Sequence, residues 1–225
     1  MNLLNLLHLC DTLFPTGGFA HSDGLEAATS NGDVRTADDL SAWMTTVLEE
    51  IIARQDGPAM LAARTAMLGG ADAEIVRIDR DALALKPAAT LRRGSRAVGS
   101  RLLQAWGTTY PSERLEAVQA LVATRQIAPS LPVAFGCVCA VAGIGSVEAV
   151  EAFAYTRLAG IASAAMRLMP IGQTEAHRAL ARALERVPAI AHDLAAAPRE
   201  PQSFAPRMDI AAMSQQYLHS RLFLS

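Results

Sequence analysis

At 225 residues, with a formal charge of −2 and a sequence pI near 6.2, the chain is long enough for one ordinary hydrophobic core and has no basic field to gather phosphates. Nucleic acid is therefore excluded as a default partner. Its 44 alanines stand against 6 Phe, 3 Tyr and 2 Trp, a balance that favours helix over strand, and three cysteines with no basic stretch ahead of the first apolar run point to a reducing, cytoplasmic setting.

Taken in chain order, Leu3 to Leu9 reads as a short apolar helix stopping at Asp11 and Pro15. Leu13 to Glu26 follows as a turn, because Gly17 and Gly18 after Pro15 can take positive φ freely, and Ser22 is placed to cap the helix that Leu25 and Glu26 begin. Thr36-Ala37-Asp38-Asp39 has the form of a capping box with Asp in place of Glu. Leu40, Trp43, Met44, Val47, Leu48, Ile51 and Ile52 then repeat at helical spacing to about Gln55. Asp56-Gly57-Pro58 predicts a break, and a second helix runs from there to Gly69-Gly70. Further helices are expected over 71–85, over 88–106 with Arg92, Arg93, Arg96 and Arg101, and from Pro111-Ser112-Glu113 to about Gln126.

Leu131 to Gly143 is apolar all round, the mark of a buried helix, and Ser146 to Met169 carries only Glu148, Glu151, Arg157 and Arg167 as charges. Ala159, Gly160, Ala162, Ser163 and Ala164 would let a neighbouring helix come close. Two shorter helices follow, about 175–186 and 188–197, before Pro198, Pro201 and Pro206. The pattern predicts an all-α fold: a single-domain bundle of about nine to eleven helices around two central apolar helices, spanning 1–197. Residues 198–225 form a Pro-rich linker and a C-terminal tail. The longest apolar run, Leu158 to Met166, falls short of the roughly 20 residues a membrane span needs.

Known chemistry is hard to find in this pattern. The Gly-rich turn lacks the Gly-Lys-Ser/Thr that a phosphate loop requires. Cys137 and Cys139 could bind a soft metal, but residues two apart on a helix face different ways and no His lies near, so buried structural thiols are the better reading. Glu148 and Glu151, one turn apart, could be an acid/base pair, but following Ser146 they more simply complement a helix N-terminus. The four arginines of 92–101 read as a solvated or carboxylate-pairing face. An alternative function is a helical enzyme or small-ligand binder with a pocket between helices 131–143 and 146–169.

The tail from Arg207 carries Met208, Ile210, Met213, Tyr217, Leu218, Leu222 and Phe223, too many apolar groups to leave in water, and so needs a surface in its own chain or on a partner. Four stretches, Leu13 to Glu26, Leu131 to Gly136, Ala162 to Thr174, and Asp209 to Met213 with Ser220 to Phe223, together resemble the UreF family of urease accessory proteins from end to end of the chain. The resemblance implies a non-enzymatic, dimeric maturation factor with no catalytic residue, cofactor or resident metal. It also implies binding to UreD (also called UreH) and recruitment of the GTPase UreG, which carries nickel to apo-urease. Carried over to this sequence, the partner-binding positions are Phe19, His21 and Ser22 in the turn and Tyr217, Ser220, Arg221, Leu222 and Phe223 in the tail. Relatives often have Tyr where Phe19 stands, so a hydrogen bond from that hydroxyl would be missing. Arg221 would either anchor the contact or act on the nucleotide as an arginine finger. The tail itself is expected to order on binding.

Overall fold

The computed structural model describes residues 3–224; Met1, Asn2 and Ser225 lie outside the described residues. The fold is all-α, with no strand among the described residues. In order, the helices are α1 (Leu3–Cys10), α2 (Leu25–Ser30), α3 (Ala37–Thr46), α4 (Gly57–Leu68), α5 (Asp72–Ala84) and α6 (Ala89–Thr109). They are followed by α7 (Glu113–Ala123), α8 (Leu131–Val141), α9 (Ser146–Leu168), α10 (Gln173–Leu184), α11 (Val187–Ala196) and α12 (Pro206–Ser214).

The predicted capping box is present: Thr36 accepts from the Asp39 N–H at 3.1 Å while the Asp39 carboxylate accepts from the Thr36 N–H at 2.9 Å. Ser112 caps α7 in the same way, accepting from the Leu115 N–H.

The predicted break at Asp56-Gly57-Pro58 does not occur. The π-helical segment Val47–Asp56 joins α3 to α4 without interruption. Gly57 donates its N–H to the Ile52 carbonyl, five residues back, and a Cβ on Gly57 would lie 2.5 Å from that same oxygen. Widening the helix lets proline in. The Arg54 carbonyl, four residues before Pro58 and so without its usual donor, accepts instead from the Gln202 N–H of the Pro-rich linker at 2.8 Å. The wider turn also buries Gln55 and Asp56. Gln55 donates to the Leu85 carbonyl at 3.0 Å, and Asp56 meets Lys86, the chain's one lysine, at 2.7 Å in a pair that is buried on both sides.

The centre is α8, buried from Pro132 to Ala140, packed chiefly on α4 and α6. Its Gly136 lies so near the α4 backbone that a Cβ would sit 2.2 Å from the Met60 carbonyl oxygen. α9 runs beside it, touching α1, α2, α4, α10 and α11, with Ala162, Ala164 and Ala165 buried. Ser163 is exposed and a Cβ on Gly160 would meet nothing within 4 Å, so the small-residue run is not one continuous close approach. Phe135 and Phe153 meet edge to face at 5.2 Å between these two central helices. Cys137 and Cys139 are fully buried among apolar neighbours, which pushes the Cys137 thiol up to about 12 and the Cys139 thiol higher still, so both stay protonated packing groups. Met208, Ala211 and Phe223 belong to the same continuous core.

Candidate functional site

The Gly-rich turn is folded by its own backbone. Gly17 takes φ 72°, a left-handed value that costs a side chain strain, and opens a single 3-10 turn over Gly18–Ala20 that leaves Phe19 71% exposed. The Arg101 guanidinium lies over Gly17, where a Cβ would meet it at 2.4 Å, so Arg101 serves this turn. Arg92 donates to the Lys86 and Pro87 carbonyls, so the four arginines of α6 do not form one free basic face.

Ser22 does not cap α2 as expected. The position before Leu25 is Gly24 with φ 87°, while the buried Ser22 accepts more weakly from the Glu26 N–H at 3.4 Å. Gly24 is required for a second reason: the α12 backbone passes over it, and a Cβ would lie 3.0 Å from the Ala212 nitrogen. Ala212 is held from the other side by the Thr90 hydroxyl of α6, which donates to its carbonyl at 3.1 Å. Asp23, also left-handed at φ 53°, pairs with Arg157 of α9. His21 is half-buried there; its loss of water lowers its proton affinity most, Asp23 opposes that effect, and Arg157 and Arg101 add to it.

The tail returns to this turn and closes on one carboxylate. Glu26, 6% exposed, accepts from the Gln215 side chain at 2.6 Å and from the backbone N–H groups of Leu222 and Phe223. The Leu224 N–H donates to the Ala20 carbonyl at 2.8 Å, tying the last described residue to the turn. Phe223 is buried, with the Arg167 guanidinium stacked over its ring at 4.3 Å, and Arg167 also donates to the Phe19 carbonyl at 3.3 Å. One arginine therefore bridges the turn and the tail.

The positions named from the sequence divide into two groups. Phe19, Tyr217, Ser220, Arg221 and Leu222 are exposed on this corner of the molecule, and Leu224 joins them at 65% exposure. Ser22 and Phe223 are buried beneath it and His21 is half-buried, so these three shape the corner from within. Sequence reasoning passed over Glu26 and Arg167 as functional groups. A signal was available for both: a lone carboxylate directly after Gly24-Leu25 and an arginine ending an almost uncharged helix each need a partner.

An apolar cleft of about 500 Å³ runs from this turn along α9 and touches Leu131 and Phe135 of α8. Of its charged lining residues, Arg157 and Asp23 are paired with each other, and Asp11 is the third. Among the described residues no group of three or more His, Cys, Asp or Glu could hold a metal ion, and no helix is long and apolar enough to cross a membrane.

Sequence comparison relates the chain to known proteins along its length. The sequence model of the UreF family matches residues 34–184. The urease accessory protein UreF of Methylorubrum populi is 32% identical, with all of both chains covered. The UreF proteins of Rhodopseudomonas palustris and Paenarthrobacter aurescens are 32% and 30% identical over 99% of this chain, covering 93% and 97% of theirs. A family match over most of the chain, with relatives aligned from end to end at this identity, establishes that the chain belongs to the UreF family of urease accessory proteins.

Proposed function

We propose that this chain acts in the cytoplasm as a non-enzymatic scaffold of urease maturation, dimerising, binding UreD and recruiting the nickel-carrying GTPase UreG to apo-urease. The turn–tail corner is its docking surface on that side. Phe19, Tyr217, Ser220, Arg221 and Leu222 make the contact, and Ser22, His21 and Phe223 hold them in place. The observation that carries this reading is the Glu26 carboxylate, which binds the tail with its exposed Arg221 to the turn with its exposed Phe19. Aromatic and Arg side chains on a rigid frame are the usual anchors of a protein interface. Residues 198–225 are then a linker and docking tail, of which 206–224 are already folded onto the turn in the free chain, with little ordering left for the partner to impose there.

The reading assigns Arg221 to the GTPase contact and to modulation of its nucleotide cycle. Arg221→Ala should weaken retention of the GTPase on gel filtration of the accessory complex by about tenfold or more, the loss typical of an interface anchor, with UreD still bound. Unchanged retention of both partners would remove Arg221 from the interface.

A further inference from the structure

α1 and the first half of α9 enclose an open groove of about 710 Å³, none of whose lining residues belongs to the tail. Its apolar wall is built from both helices: Leu6, Leu7 and Cys10 from α1 face Ala152 and Tyr155 from α9. Leu4 of α1 and Leu13 just after it, 74% and 87% exposed, are further apolar groups on this N-terminal segment. So many large apolar groups side by side on a surface mark a contact site.

The rim has one sign of charge. Asp11 follows α1, while Glu148 and Glu151 stand one helical turn apart on α9, and all three line the groove. Among the described residues none of the three takes part in an ion pair, although ten other ion pairs are formed. Asp11 accepts from the Leu13 N–H at 2.9 Å, which leaves its second oxygen free. Glu148 lies in the first turn of α9, where the helix end favours a carboxylate without neutralising it.

We infer that this groove receives an α-helix of a partner protein, one with a Leu/Ile/Val stripe flanked by Lys or Arg. A groove walled by two helices accepts a third through an apolar stripe at i, i+3, i+4 and i+7. The unpaired carboxylates select basic flanks on that stripe. An anionic lipid surface is disfavoured by the same carboxylates. A second copy laying the same acidic rim over this groove would bring like charges together.

The test uses the full chain and two labelled helical peptides of about 18 residues, or five turns, with an identical leucine stripe flanked in one by Lys and in the other by Glu. Fluorescence anisotropy should show the Lys-flanked peptide binding at least about tenfold tighter, with the preference falling as salt rises. Glu148→Gln with Glu151→Gln should abolish the preference, and Leu7→Ser should weaken both peptides; these groups all reach solvent, and an unchanged melting temperature confirms the fold of each variant. Failure of the Lys-flanked peptide to bind, or a preference that survives the double variant, would overturn the assignment. So would sedimentation showing that Leu7→Ser turns a dimer into monomers, because the occupant would then be a second copy.

Discussion

The crossing of α4 and α8 and the corner where the tail meets the turn are held by opposite means. At the crossing the contact is apolar and backbone-close, with Gly136 against the Met60 carbonyl and no polar group needed. At the corner a few directional bonds converge on Glu26, above the buried Phe223 and the α12 residues Met208 and Ala211. The first arrangement resists any added volume, while the second depends on single atoms. The fold and the proposed docking surface can therefore be damaged separately.

Gly136→Val places a branched side chain where even a Cβ has no room, and should destabilise the whole domain by about 3 kcal/mol or prevent folding. Thermal denaturation reads this directly, and an unchanged midpoint would mean that α4 and α8 do not approach as described. Phe223→Ala empties a buried site beneath Arg167 and should cost the corner about 3 kcal/mol, yet the midpoint of the domain should barely move. Its mark is faster hydrogen exchange over 215–224 alone. Glu26→Ala leaves the Leu222 and Phe223 N–H groups without an acceptor, at about 2 kcal/mol, and should expose the same segment to protease. Protection of that segment equal to wild type would show that the carboxylate is not what holds it.

Smaller effects come from protonation and from the surface. His21 has its proton affinity lowered in the fold, chiefly by burial, so the folded chain favours the neutral ring. It contributes stability above the ordinary histidine value near pH 6.5, and that contribution is lost as pH falls through the lower folded value. Acidification should thus loosen the turn, and His21→Gln should remove this part of the pH dependence of exchange at Gly18–Ala20. Arg221→Ala should leave stability within about 0.5 kcal/mol, since Arg221 is exposed and no hydrogen bond or ion pair of it is seen among the described residues.

Much of the fold was legible in the sequence because helical periodicity and caps are local. Thr36 and Asp39 announced the start of α3, and the uncharged run at 131–143 announced a buried helix. Pro58 misled because half of its compensation is not local: the π-helical turn directly precedes it, but the Gln202 N–H that takes the Arg54 carbonyl lies 144 residues beyond the proline. The site was legible only as its two halves. The turn and the tail each declared themselves through glycines and through apolar groups lacking a surface. What joins them, Glu26 to the backbone of Leu222 and Phe223 and Arg167 to both segments, spans roughly the whole chain and has no period or spacing to betray it.

The central claim is that one buried carboxylate sets the docking corner without setting the fold. The measurement that tests it most directly is the amount of the GTPase UreG retained by the Glu26→Ala chain in complex with UreD on gel filtration, with the thermal midpoint of the same preparation recorded. The account requires loss of the GTPase at an essentially unchanged midpoint. Full retention of the GTPase by a folded Glu26→Ala chain would contradict it.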